Sequence, residues 1–374
     1  MVSYQLNPKF IEWDTEESYI FINPKLSKSE QKLIKFNAIP KTPGIIWIGS
    51  SGTTGESSFK LIGLPKKAFL ASAKAVCDHL NVTSSDIWLN ALPRFHVGGL
   101  SIEARSFVSG CKVNLKQFPK FDVNEFITLL SEKKVTITSL VPTQVFEIIK
   151  NNIKAPKNLR VALIGGGHLS DELYQKATAL GWPVVLTYGM TEACSSVATS
   201  KLSDIGSKQR PQLQVLPHLK AKLDDNNCLL LSGDSLTAGQ VVFTKNESAF
   251  IENNKDWFKT NDLVKLTGNK LEFISRLHQQ IKVSGELVNL QQLNNDFEKL
   301  KFKNNINFIS QVKASKNLKY DNQIDLVVEG IHSLKVSTEL KEEFNKTQPR
   351  HQHINNIYFY KEVPRTVLGK LAIQ

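Results

Sequence analysis

The middle of the chain alternates short apolar or β-branched runs with helix-length amphipathic runs, and that alternation leaves few folds open. Val135-Thr-Ile-Thr-Ser-Leu-Val141 reads as a strand, after which Pro142-Thr143 open a helix to Lys150, since proline is preorganised for a first helical turn. Val161-Ala-Leu-Ile164 has the composition of a buried strand and is followed by Gly165-Gly166-Gly167. Ser170 offers an N-cap oxygen, and Asp171 and Glu172 place negative charge in the first turn. That helix is predicted to run to Leu180, where Gly181 ends it. Pro183-Val-Val-Leu-Thr187 is the next strand. Strand, loop, helix and strand in this order predict an α/β fold with a largely parallel sheet and helices on its faces.

On either side of this region the pattern changes. The first 40 residues are less regular. From about Gly206 to Val264 short strands and turns predominate, among them Ala221-Lys-Leu, Cys228-Leu-Leu-Leu and Gln240-Val-Val-Phe. They predict an antiparallel sheet or a small barrel-like part. After Arg276 a compact α+β segment is expected, with helices over Leu290–Leu300 and Ser337–Asn345 and strands near Ile306–Val312 and Ile324–Val328. A length of 374 residues favours two domains, and the boundary is placed at 275/276, giving units 1–275 and 276–374.

Composition narrows the function classes. Hydrophobic residues make up 41% and charged residues 22%, as in a globular protein with a true core. No apolar run approaches the roughly 18–20 residues that cross a bilayer, and the first residues lack a signal-peptide pattern, so a cytoplasmic protein without membrane partners is expected. Cys77, Cys111, Cys194 and Cys228 lie too far apart for paired metal spacing and are read as free thiols. The net charge of +12 comes from dispersed lysines, with modest enrichment from Lys299 to Lys319. No aromatic–basic nucleic-acid module accompanies it, so a polyanionic small substrate or a solvated surface explains it better.

Three segments carry residue types suited to phosphate chemistry. Ser50-Ser51-Gly52-Thr53-Thr54-Gly55 directly follows the apolar strand Gly44-Ile-Ile-Trp-Ile48. Glycines there let backbone N–H groups approach an anion, and the hydroxyls add donors. The Gly-Lys-Ser/Thr ending of a Walker loop is missing. Gly165-Gly166-Gly167 lies at the carboxyl end of a predicted parallel strand, where ligands of open α/β sheets bind, although a triple glycine also simply allows a tight turn. In Tyr188-Gly189-Met190-Thr191-Glu192, an aromatic suits base stacking, Thr191 suits a phosphate, and Glu192 suits Mg²⁺. The plainer reading makes Tyr188 core and Glu192 a solvated charge.

Together with Thr260-Asn261-Asp262, Arg276 and Pro364-Arg-Thr-Val-Leu-Gly-Lys370, these segments occur in the order of the adenylate-forming superfamily, which the chain resembles from about residue 44 to its end. That superfamily includes acyl-CoA synthetases, luciferase and adenylation domains. The resemblance implies a large N-terminal domain, a small mobile C-terminal lid and a site between them. Ser51 to Gly55 would hold the β- and γ-phosphates of ATP, and Gly165 to Gly167 with Tyr188 and Gly189 would hold adenine. Thr191 would contact the α-phosphate and Glu192 would carry Mg²⁺. Asp262, acceptor-only, would take the ribose hydroxyls with help from Arg276. Lys370 would bridge the substrate carboxylate and the α-phosphate.

Leu92-Pro-Arg-Phe-His-Val-Gly-Gly-Leu100, Ser139-Leu-Val-Pro-Thr-Gln144 and Tyr188-Gly-Met-Thr-Glu-Ala-Cys-Ser-Ser196 further resemble the o-succinylbenzoate–CoA ligases of menaquinone synthesis. The short length fits too, since most relatives in the superfamily carry a longer N-terminal region. This resemblance implies His96 beside the acyl pocket, with Gly98 and Gly99 leaving room for substrate, and CoA as second substrate. Arg94 or Arg105 would pair with the distal carboxylate of a dicarboxylic acid, against the ordinary reading of each as a surface arginine. A homo-oligomer is compatible with all of this. Other readings are a different acyl- or aryl-CoA ligase, an enzyme loading a carrier protein, and a degenerate ATP-binding protein without turnover.

The last reading is motivated by departures from the family pattern. Where the family loop has its lysine, this chain has Ser58, and Lys60 follows two residues later. The family's Thr-Gly-Asp is Thr260-Asn261-Asp262, and Asn is the non-glycine residue most tolerant of positive φ. His278 stands where the hinge is commonly Asp or Lys.

Overall fold

A computed structural model describes residues 4–49, 58–116, 118, 121–306, 308–317, 321–330 and 334–363. The loop Ser51, Gly52, Thr53, Thr54, Gly55 and the terminal Lys370 therefore lie outside the described residues. Among those described, two large sheets dominate. The first has six strands in the order Tyr4–Leu6, Ser18–Phe21, Ile45–Gly49, Ser58–Pro65, Gly239–Thr244 and Ser248–Glu252. The second has eleven, and one half of it is the parallel array expected from the sequence. There Val184–Met190, Val161–Ile164, Ile137–Leu140, Ile87–Asn90 and Lys112–Leu115 run side by side in parallel.

Strand alternation assigns the faces of this array. Leu89, Ala162, Ile164, Val184 and Leu186 point to one side, where they pack with Phe126, Leu130, Val145, Ile148 and Tyr174 of the helices Val123–Glu132, Pro142–Lys150 and Asp171–Ala179. Trp88, Val161, Leu163 and Val185 point to the other, against Val76 and Ile102. Because side chains alternate along a strand, a strand covered on both faces must be apolar throughout. That is why Val161–Ile164 shows no polar alternation. The helices Lys66–His79 and Val97–Ser109 fill the space between the sheets: their Phe69, Ala73, Leu100 and Ala104 also meet Ile46, Ile48, Ile62 and Leu64 of the first sheet. The helix caps follow the expectation, with Ser170 Oγ accepting from Leu173 N and Gly181 at φ +80°.

The antiparallel region predicted after Gly206 is present but does not close into a barrel. Leu219–Leu223, Cys228–Gly233, Phe258–Thr267, Lys270–Arg276, Leu213–Val215 and Ser195–Thr199 extend the parallel array edge to edge. Gly239–Thr244 leaves this group and joins the first sheet beside Ser58–Pro65, a partition that no local pattern reveals. The irregular first 40 residues contain two strands of the first sheet and the short helix Lys28–Leu33. All four cysteines are free, as expected, and the structure buries each of them.

Beyond Arg276 the elements build a core of their own. Strands Gln280–Val283 and Glu286–Asn289 form a hairpin whose turn residues Ser284 and Gly285 have φ +54° and +86°, the left-handed pair that matches strand twist. Helices Leu290–Lys303 and Leu334–Thr347 cover a sheet of Ser310–Asn317, Asp321–Glu329 and Ile354–Tyr360. The buried apolar cluster here, including Val288, Leu293, Phe297, Leu326 and Phe344, draws only on residues after 280. The first of these three strands starts four residues later than the apolar run near Ile306 predicts, and Ile354–Tyr360 was not foreseen. Among the described residues no helix is long and apolar enough to cross a membrane.

Candidate active site

The strand Val184–Met190 continues through Tyr188 and Gly189, past the Thr187 at which the apolar run stops. It then reverses over the one-turn helix Thr191–Ala193 into Ser195–Thr199. Cys194 and Ser195 carry φ +51° and +99°, and a non-glycine residue in such a region costs on the order of 1–3 kcal/mol. Across the reversal Gly189 pairs with Ser196. A Cβ on Gly189 would sit 1.7 Å from the Ser195 carbonyl oxygen, so only glycine permits the approach. Gly165 ends its strand against Thr187, whose Cγ2 would be 2.8 Å from an added Cβ, and Gly166 takes φ +73°. Gly165 and Gly166 of the glycine run are thus needed for backbone geometry at the mouth of the sheet.

Three of the predicted residues meet here. The Tyr188 hydroxyl donates to Asp262 Oδ2 at 2.5 Å, and Arg276 Nε lies 3.4 Å from Asp262 Oδ1. Asp262 and Arg276 face each other on adjacent strands, four and three strands away, respectively, from the strand of Tyr188 in the sheet order. Asp262 is only 6% exposed, and its amide is fixed by Thr260 Oγ1 at 3.1 Å. Burial, then the charge of Asp262 and its hydrogen bond, push the Tyr188 phenol well above the ordinary tyrosine range. Tyr188 stays a neutral donor. Its ring stacks on Phe273 at 5.8 Å, a partner with no motif to announce it. Asn261 lies within the extended strand Phe258–Thr267, so the replacement of glycine there needs no positive φ.

Glu192 sits in the turn, where the Thr237 amide donates to its carbonyl at 2.8 Å. Burial raises its carboxyl pKa, opposed by its own backbone and by the positive charges of Arg276 and Lys60. It is not the solvated charge of the plainer reading. Among the described residues no cluster of three or more His, Cys, Asp or Glu could hold a metal by itself. A single carboxylate suits Mg²⁺, which takes most of its ligands from phosphates and water.

His96 occupies the N-cap position of Val97–Ser109 and packs its ring obliquely against Phe95 at 4.8 Å. The room expected at Gly99 is not for a ligand: a Cβ there would meet the Pro93 carbonyl oxygen at 2.3 Å, whereas Gly98 has only an ordinary contact with Leu92. Neither arginine is a surface residue. Arg94 is held by both Glu103 oxygens, at 2.5 and 2.8 Å, and by the Pro8 carbonyl at 2.6 Å, so it is already committed to the fold.

Arg105 differs. It is 1% exposed and stacks over Trp88 at 5.3 Å. Its Nη2 donates to Ser195 and Ser196 Oγ at 3.4 and 3.3 Å, and its Nε has no partner. No carboxylate among the described residues pairs with it, and burial lowers its pKa to about 10. Its spacing of three and four residues from Ile102 and Ser101, both buried, is the sequence signal that marks it as inward-facing.

A family model described as AMP-binding enzyme matches residues 25–245. The 2-succinylbenzoate–CoA ligase of Enterococcus faecalis is 30% identical over 288 residues, 72% of this chain and 58% of the relative. That of Listeria monocytogenes is 30% identical over 258 residues, 68% and 53%. The chain thus spans a little over half the length of these relatives. Among solved structures, o-succinylbenzoate CoA synthetase from Bacillus subtilis in complex with the acyl-adenylate intermediate OSB-AMP superposes with a TM-score of 0.69 at 24% identity, over 87% of this chain and 67% of that one. ATP-bound MatB from Rhodopseudomonas palustris gives 0.71 at 18%, over 87% and 66%. At these identities the structural likeness speaks for the fold. The matched family model covers more than half of the chain, which therefore belongs to the AMP-binding enzymes, the adenylate-forming superfamily that its ordered motifs resemble.

Proposed function

We propose that the chain is an AMP-forming acid–thiol ligase that converts o-succinylbenzoate to its CoA thioester. A carboxylate oxygen of the acid attacks the α-phosphorus of ATP, pyrophosphate leaves, and the CoA thiolate then attacks the acyl carbon and displaces AMP. The observation that carries the dicarboxylic specificity is Arg105, a buried guanidinium without a carboxylate, held by two serines of the motif turn. An isolated buried charge is costly unless it is paired, and the distal carboxylate of the substrate is the partner that this reading supplies. The ligases similar to the chain support the choice of acid.

The remaining roles are assigned on the same reading. Ser51 to Gly55 hold the β- and γ-phosphates, Gly165 to Gly167 and Tyr188 frame adenine, and Thr191 touches the α-phosphate. Asp262 keeps lone pairs beyond the one Tyr188 occupies, so it can still accept ribose hydroxyls, with Arg276 beside it. Glu192 would hold Mg²⁺, whose charge offsets that of the phosphates and favours the ionised carboxylate against burial. His96 borders the acyl group. Lys370 stabilises the charge developed during adenylation. Residues 276–374 act as a lid that rotates about residues 276–278 between the two half-reactions, an arrangement supported by the separate core after residue 280.

Mass-spectrometric detection of the thioester with o-succinylbenzoate, ATP, Mg²⁺ and CoA tests the activity. Failure of carboxylate-dependent pyrophosphate exchange across a wide panel of acids would remove the enzyme reading altogether. Lys370→Ala should cut adenylation by several orders of magnitude yet spare thioester formation from supplied acyl adenylate. Equal loss of both steps would refute the lid rotation.

A further inference from the structure

Asp262 and Arg276 pair across the strands Phe258–Thr267 and Lys270–Arg276, and the next pair in register is Leu263 with Ser275. Side chains alternate along a strand, so Leu263 and Ser275 face away from Tyr188 and the site described above. The register is irregular at this point. Leu263 pairs with Ser275 and Val264 with Phe273, which leaves Ile274 as a bulged residue outside the register. On the other side Cys228 pairs with Leu263 but Leu230 with Lys259, two steps along one strand against four along the other. Such breaks bend a strand and re-aim its side chains, and two of them meet at Leu263.

On this reverse face lies a cleft of about 400 Å³, within the size range of small-molecule sites. Leu263, 7% exposed, lines its deeper part, whereas Ile274 and Leu277, at 44% and 47%, stand open beside it. Ser275, between those two in the chain, is fully buried, and its hydroxyl has no partner among the described residues. The rim is polar, with the amides of Asn226 and Gln280 and the ammonium of Lys259. Lys259 Nζ lies 2.6 Å from Asp224 Oδ2, and Asp225 adds negative charge beside it. The rim thus offers donors and acceptors but no positive charge to spare, so an anion gains nothing there.

We propose that this cleft binds an uncharged ring compound carrying a hydroxyl or carbonyl group, and that its occupancy restrains the hinge. Ile274, Leu277 and Leu263 take the ring, and the amides or the Ser275 hydroxyl take the oxygen, since each can both donate and accept. Such a ligand differs in charge from every substrate of the adenylating reading, because ATP, CoA and the acid are all anions. Leu277 lies within residues 276–278 and Gln280 just beyond them, so a molecule lodged between these two and Leu263 ties the start of the lid to the body. This second half rests on the lid rotation given above, which requires those residues to change conformation. Adenylation precedes the rotation and is spared; thioester formation follows it and is slowed.

The probe is 2-naphthol, uncharged at neutral pH, titrated calorimetrically into the full chain with ATP and Mg²⁺ present. It should bind saturably to wild type and roughly tenfold or more weakly to Ile274→Glu, whose added carboxylate would have to be desolvated under the ring. Arg105→Met should stay within about twofold of wild type. If Ile274→Glu does not accumulate, Ile274→Ser reads the same difference. No saturable binding, equal binding to wild type and a folded Ile274 variant, or a loss in Arg105→Met instead, which places the probe in the acyl pocket, overturns the site. Saturating 2-naphthol should slow thioester formation by wild type about fivefold or more, leave Ile274→Glu unaffected, and leave acid-dependent pyrophosphate exchange within about twofold. Bound probe that slows neither step, or both equally, overturns the hinge restraint. Protein without exchange activity on any acid sinks the ligase reading, and the binding comparison still decides the cleft.

Discussion

Replacing Arg105 with methionine separates what this side chain does for folding from what it is proposed to do for substrate. Burial lowers the guanidinium pKa from its ordinary value to about 10, equivalent to a folding cost on the order of 3 kcal/mol for keeping the charge. The native state releases this proton at lower pH than the unfolded chain. Stability therefore rises only above about pH 10, as the native state loses the proton first, and the cost is present in full at neutral pH. Opposing it, the Trp88 ring at 5.3 Å contributes up to about 2 kcal/mol in a desolvated setting. The hydroxyl contacts at 3.3 and 3.4 Å are too long to add much. Methionine keeps apolar contact with Trp88 and adapts to the space, so Arg105→Met should be more stable by about 1 kcal/mol in urea titration. The same change removes the partner of a buried carboxylate, a loss of about 2–5 kcal/mol. The KM for a dicarboxylic aromatic acid should then rise roughly thirtyfold to several thousandfold, while monocarboxylic aromatic acids change less than about threefold. A variant destabilised by about 2 kcal/mol or more, with both classes of acid losing activity equally, would show that Arg105 serves the fold alone.

Tyr188→Phe deletes a hydrogen bond to a buried carboxylate and should cost about 1.5–3 kcal/mol, seen in denaturant titration together with a raised KM for ATP. Gly189→Ala forces a Cβ into the Ser195 carbonyl; the strand pair must part, and loss of more than about 3 kcal/mol or of soluble protein is expected. A stable, active Gly189→Ala enzyme would mean that the turn relaxes. His218 is held uncharged by burial, its pKa lowered from 6.5 to about 4, and neither ring nitrogen has a partner. A base with a depressed native pKa binds its proton first in the unfolded chain. Stability should thus fall by up to about 3 kcal/mol as pH drops from 6.5 toward 4, and His218→Leu should flatten that part of a pH-melting profile.

How much of this was legible depends on the range of the interaction concerned. The helix Asp171–Ala179 is written locally: an N-cap serine, acids in the first turn and a terminal glycine each act within a few residues, and all are found where expected. The run Val161–Ile164 is apolar because both its faces are covered, and it too could be read directly. The strand Tyr4–Leu6 and the assignment of Gly239–Thr244 to the first sheet could not, because pairing partners distant in sequence leave no local trace. The same holds within the candidate site. Residue types at Tyr188, Glu192 and Asp262 suit nucleotide chemistry and were visible as motifs. Phe273 under Tyr188 and Lys60 opposite Glu192 belong to no motif.

The sequence by itself determined the α/β alternation, the family and the chemical character of the residues at the strand ends, because each is encoded in short-range pattern and residue type. Only the tertiary structure decided that Arg94 is neutralised by Glu103 while Arg105 lies buried without a carboxylate. Both arginines occupy one short stretch of chain and look alike in sequence. Their difference is one of dielectric surroundings and charged neighbours, which exist only once distant segments have packed around them.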